Sequence, residues 1–115
     1  MRRLVTGVTA AVLLLAVGNA AQKKETFAGE IMDSQCALLG GHEKMILKGE
    51  DLTQCTHRCV QIGGKYALFD AAAKKAYQLD DQKKAQAFAG KKVQITGAYS
   101  AGTKTIKVAD IKPVS

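Results

Sequence analysis

Three cysteines and two histidines carry the distinctive chemistry of this chain, and all five fall between Asp33 and Gly64: Cys36, His42, Cys55, His57 and Cys59. Thiolates and imidazoles are ligands for zinc and for softer ions. Cysteines four apart on a helix form a chelating pair, so Cys55 and Cys59, with Cys36 and His42, make a candidate Cys₃His tetrahedron. Copper(I) is the other candidate ion, with Met32 and Met45 nearby in sequence.

The same thiols support a competing reading, a structural disulfide. One helical turn holds β-carbons about 5–6 Å apart, whereas a disulfide wants about 3.8 Å, so Cys55 and Cys59 are disfavoured as partners. The expected bridge is Cys36 to Cys59, which closes a loop of about 23 residues and stabilises by roughly 3 kcal/mol in the chain-entropy model. A thiol-redox enzyme is a third reading. It suits the residues less well, because the motif is Cys-x₃-Cys and no thioredoxin-type βαβ pattern surrounds it. His57 lies two residues from each helical cysteine, about 200° round the helix, and is expected at the surface.

The elements that must position these groups follow from the pattern. Glu25 to Asp33 alternates Phe27, Gly29 and Ile31 with Ala28, Glu30 and Met32, the period of a half-buried strand. Ala37-Leu38-Leu39 is stopped by Gly40-Gly41, and a short turn over His42–Lys48 is closed by Gly49. Asp51 and Gln54 form a capping box, and Gly63 ends a helix of about 11 residues with Leu52, Cys55, Cys59 and Ile62 on its inward stripe. Lys65–Asp70 and Ala76–Leu79 read as a hairpin, and Asp80 or Asp81 caps a short helix through Ala85, Phe88 and Ala89. Two more strands follow, Lys91–Tyr99 with Val93, Ile95, Gly97 and Tyr99 inward and Thr105–Ile111 with Ile106 and Val108 inward, turning at Ala101-Gly102.

This is a mainly β fold with short helices, ordered β-α-β-β-α-β-β. With a cysteine-containing helical cap at 34–64 set aside as an insertion after strand one, the order is that of a five-stranded OB-like barrel. The stretches GEIMDSQC and CTHRCVQIGGKYALFD, with FAGKKVQITGAYS and TIKVADI after them, resemble a family of small exported bacterial proteins of uncharacterised function. The resemblance runs from about Phe27 to Ile111. It implies an OB-like barrel and a secreted location, and no activity.

Export is also legible in the N-terminus. Arg2 and Arg3 precede an apolar run from about Val8 to Val17, followed by small residues at Gly18, Ala20 and Ala21. The run is shorter than the roughly 20 apolar residues of a membrane span. We therefore expect a signal peptide over residues 1–20, a single domain over 21–115, a periplasmic or secreted location, and no membrane anchor after cleavage. The formal charge of +7 includes Arg2 and Arg3, so the processed chain carries +5, much of it in lysine doublets that read as solvated surface.

Other chemistries lack their residues. No phosphate-binding glycine loop is present, Asp80-Asp81 reads as a cap, and Ser34 beside Asp33 reads as a strand-end turn. Tyr66, Phe69, Tyr77 and Tyr99 could stack on bases, but three of the four fall on the core-facing register, and nucleic acid is not expected. The expectation is a monomeric, non-enzymatic binding or interaction module for an envelope ligand or protein, its cap stapled by Cys36–Cys59 and with no cofactor. The alternative is a zinc or copper protein using Cys36, His42, Cys55 and Cys59. N-terminal sequencing of protein from its native host should return Ala21 or Gln22, and Met1 in its place would refute export by this signal.

Overall fold

The computed structural model describes residues 23–114. The expected signal peptide and its cleavage site lie outside the described residues. The elements are β1 (Lys24–Asp33), α1 (Ser34–Leu39), α2 (Leu52–Gln61), β2 (Tyr66–Asp70), β3 (Lys75–Leu79), α3 (Gln82–Gln86), β4 (Lys92–Ser100) and β5 (Thr105–Pro113). Among the described residues, no helix is long and apolar enough to cross a membrane.

The five strands form one mixed sheet that closes on itself in the order β1-β2-β3-β5-β4. Closure depends on the length of β1. Its first part pairs with β4, from Lys24 opposite Ala98 to Glu30 opposite Lys92, and its last part pairs with β2, from Glu30 opposite Phe69 to Asp33 opposite Tyr66. All pairings are antiparallel except β3 with β5, which run parallel over two residue pairs, Gln78 with Thr105 and Leu79 with Ile106.

Inside the ring, Ile31, Leu68, Leu79, Val93, Ile95, Ile106 and Ile111 form the main core with Ala85 and Ala89 from the α3 segment. The alternation read from sequence holds for Val93, Ile95 and Ile106. It does not extend unbroken to the end of β5. Gly97 faces Val108 and Thr96 faces Asp110, which leaves Ala109 as an extra residue; this bulge resets the phase and turns Ile111 inward opposite Ile95. Val108 is half-buried rather than central. Phe27, Tyr77 and Tyr99 pack against this core with ring centroids 5.2–6.0 Å apart.

The acid pair has the structural role expected of it. Asp81 caps α3 by accepting from Lys84 N, while Asp80 Oδ1 accepts from Val108 N at 2.8 Å. The β5 edge is thus covered by side chains where β3 no longer reaches it, as edge strands require.

Residues 34–65 leave and rejoin the sheet at one place. Ser34 N donates to Lys65 O at 2.8 Å, and Lys65 N donates to Ser34 Oγ at 3.1 Å. The cap therefore stands on the outer face of the β1–β2 pair, where Met32 and Ala67 meet Cys36, Ala37, Cys55 and Cys59 in a second apolar cluster. This explains why Ile31, Met32 and Asp33 are all buried in succession: the ring covers one face of the strand and the cap the other.

Ile95→Ala should cost about 2–5 kcal/mol in urea unfolding, as large-to-small core changes do. Lys92→Ala, three residues earlier on the exposed side, should cost under about 0.5 kcal/mol. Equal losses would mean a register shifted by one residue.

Candidate metal centre

Asp33 begins the site. It is the last residue of β1 and the N-cap of α1, where its Oδ1 accepts from Cys36 N at 2.9 Å. Capping fixes the first turn and turns Cys36 back beneath the helix, fully buried. Gly40, with φ of +83°, ends α1 in the left-handed region that favours glycine. His42 follows two residues later and is also buried.

The second half of the site is α2. Its capping box is present as read: Asp51 accepts from Gln54 N, and Gln54 Oε1 accepts from Asp51 N. Cys55 and Cys59 are fully buried, as expected, but the rest of the inward stripe differs. Leu52 and Ile62 lie at the helix ends, beyond the β1–β2 surface that the helix covers, and are 40% and 66% exposed. Thr56 takes the inward position beside Cys55 and satisfies its hydroxyl by donating to Leu52 O at 2.8 Å.

His57 does not point free into solvent. Its Nδ1 lies 2.7 Å from Tyr66 Oη and its ring meets the Tyr66 ring edge-on, because β2 starts directly beneath the last turn of α2. It takes no part in the cysteine cluster.

Cys36, Cys55 and Cys59 are free thiols, so the expected Cys36–Cys59 disulfide is not formed. Cys36 does not face Cys59 alone but sits between two groups of donors. Its Sγ lies within 4.8 Å of donor atoms on His42 and Cys55, and equally within 4.8 Å of donor atoms on Asp33 and Cys59. Cys36, His42 and Cys55 thus form one group of donors and Cys36, Asp33 and Cys59 another. The expected single Cys₃His set with Cys55 and Cys59 as a chelating pair is not what the fold assembles, because the two helical thiols fall in different groups.

Asp33 is the donor that sequence reading missed. Its visible signal was a carboxylate three residues before Cys36 at a strand-to-helix junction, which reads equally well as a cap. Both roles are available to it, since Oδ1 caps the helix and Oδ2 is buried without a partner. Gly64 makes room for this carboxylate: a Cβ there would collide with Asp33 Oδ2.

His42 is prepared in a similar way. Glu30 Oε2 lies 2.7 Å from His42 Nε2, and a carboxylate can only accept, so Nε2 carries the proton. In the neutral ring this leaves the lone pair on Nδ1, which is buried and has no partner. A carboxylate behind a histidine in this manner orients metal-binding rings.

The loop that carries His42 is held down from α2. Arg58 Nε and Nη2 donate to Glu50 at 2.8 and 3.1 Å, and Nη2 also donates to Met45 O at 2.6 Å. The Arg58 hydrogen bond is the main reason that the Glu50 carboxyl is lowered to about 2. Met45 and Ile46 are thereby packed over the cysteines.

Without a cation Cys36 and Cys55 favour the neutral thiol. Burial pushes the Cys36 thiol well up, helped by the Asp33 carboxylate beside it. Burial likewise raises Cys55 to about 11, with the neighbouring Cys59 and the Glu50 carboxylate adding to it. A bound metal ion reverses this balance, since ligating thiols are deprotonated.

A thiol whose folded pKa lies above its unfolded value stabilises the fold below the unfolded value and loses that contribution as pH rises through the folded one. The reduced, metal-free protein should therefore lose stability between pH 9 and about 11 as Cys55 ionises. In urea unfolding followed across this range, Cys55→Ala should lose less.

Residues 59–114 match a family model described as a protein of unknown function (DUF5818), in agreement with the resemblance to an uncharacterised family. The match takes in β2 to β5 and only Cys59 among the candidate donors. No curated protein and no solved structure matches the chain.

Proposed function

We propose that this chain is an exported metal-binding module of the cell envelope, an OB-like barrel whose helical cap holds zinc or a softer ion such as copper(I). The donors are Cys36, His42, Cys55, Cys59 and Asp33. One observation carries this reading. The buried side-chain nitrogen and oxygen atoms without a hydrogen-bond partner among the described residues are Asp33 Oδ2 and His42 Nδ1, and both belong to the cysteine cluster. A buried polar group left unpaired costs roughly 1–3 kcal/mol. Two such groups, converging on three buried thiols, form a donor set suited to a cation.

The strand order and the position of α3 between β3 and β4 support the OB-like assignment. The charged start and apolar run of the N-terminus support export. We assign the site a binding role, with Met32 and Met45 beside the thiols leaving room for the softer ion. In an oxidising compartment a bound ion also keeps three neighbouring thiols from pairing.

Adding zinc or copper(I) to reduced, chelator-stripped protein should raise its melting temperature, because an ion at 100 times its Kd stabilises the folded state by about 2.7 kcal/mol. Cys36→Ser should abolish the rise, since Cys36 belongs to both groups of donors. A wild-type melting curve unmoved by either ion would sink the proposal.

A further inference from the structure

We infer that the cap holds two divalent ions, with the Cys36 thiolate bridging them. This rests on the metal-binding reading and specifies its stoichiometry and the class of ion. The donors fall into two triads, Cys36 with His42 and Cys55, and Cys36 with Asp33 and Cys59, and Cys36 is the residue they share. The two unpartnered buried atoms belong to residues of different triads, Nδ1 to His42 in one and Oδ2 to Asp33 in the other. An ion in one triad satisfies one of these atoms and leaves the other buried and unpaired. Two ions satisfy both.

Charge balance points the same way. Three thiolates and the Asp33 carboxylate carry four negative charges, all on fully buried residues. One divalent ion is neutralised by the Cys36 and Cys55 thiolates and leaves the buried Asp33 carboxylate uncompensated, whereas two divalent ions balance the three thiolates and that carboxylate together. Monovalent copper would not do so with two ions. The oxygen donor from Asp33 also favours a borderline ion such as zinc over copper(I).

The dimensions fit. Zinc–sulfur bonds of about 2.3 Å in a tetrahedron put two sulfurs roughly 3.8 Å apart, so donor atoms within 4.8 Å of one another need only a small contraction. A cleft of about 360 Å³, lined in part by Glu30, Met32, Gly41 and His42, borders the cluster on the His42 side.

The test is titration of the reduced full chain with zinc alone, read by calorimetry and by metal content after gel filtration. Wild type should bind two equivalents. Asp33→Asn and Cys59→Ser should each retain one, as should His42→Ala and Cys55→Ser, with circular dichroism confirming that each variant remains folded. Cobalt(II) loading of wild type provides a readout that needs no variant. If a shared sulfur couples the two ions, the electron paramagnetic signal per cobalt should fall as the second equivalent enters.

One equivalent of zinc in wild type, lost with any single donor, would overturn the two-ion inference and leave the metal-site reading intact. A cobalt signal that simply doubles would overturn the bridge. Uptake of copper(I) without zinc would overturn the choice of a divalent pair, and no uptake of either ion would overturn both readings.

Discussion

The insertion between β1 and β2 has to end where it begins. Asp33 pairs with Tyr66, and the Ser34 and Lys65 backbones are hydrogen-bonded, so the 30 or so residues between them leave and rejoin the sheet at one place. A chain segment tied in this way must fold back over its own origin. Here that origin carries Asp33 and, one turn into α1, Cys36. The last turns of α2 arrive opposite them with Cys55 and Cys59 facing inward, and the thiol cluster follows from this closure. Gly64 is the residue that lets the returning chain pass close enough, because it leaves space for the Asp33 carboxylate.

Much of the ring was legible because its strands obey the period-2 rule and its turns carry their own chemistry. Val93, Ile95 and Ile106 were placed correctly by alternation, and the Asp51 capping box gave the start of α2 without ambiguity. Where the reading failed, the missing information was tertiary. Nothing local in Lys107 to Ile111 announces that Ala109 bulges out, since the bulge is a property of pairing with β4. A helical wheel put Leu52 and Ile62 on the buried stripe, but burial depends on how far the covering surface extends, and the β1–β2 face stops short of both helix ends.

The site was partly legible for the same reason. Residue type and spacing pointed to Cys36, His42, Cys55 and Cys59, which the fold divides between two groups of donors that share Cys36. The choice of a Cys36–Cys59 bridge assumed that Cys36 would meet one helical thiol, whereas it lies close to both. Asp33 was hidden by its second role as a cap, and Glu30 by a sequence separation of 12 from the histidine it supports. His57 looked exposed because only its own helix was considered, and Tyr66 on the next strand was not.

The apolar interior consists of two clusters, one inside the ring and one beneath the cap, divided by the β1–β2 pair. Parts of a protein open locally in cooperative units of unequal stability. The ring has its own interior of branched aliphatic side chains, while the cap's interior is made chiefly of alanine, methionine and the donors themselves. Its cohesion therefore depends on whether those donors are engaged. If the site takes an ion as proposed, the cap would loosen as a separate unit while the sheet stays closed, and ion exchange would not have to pass through global unfolding.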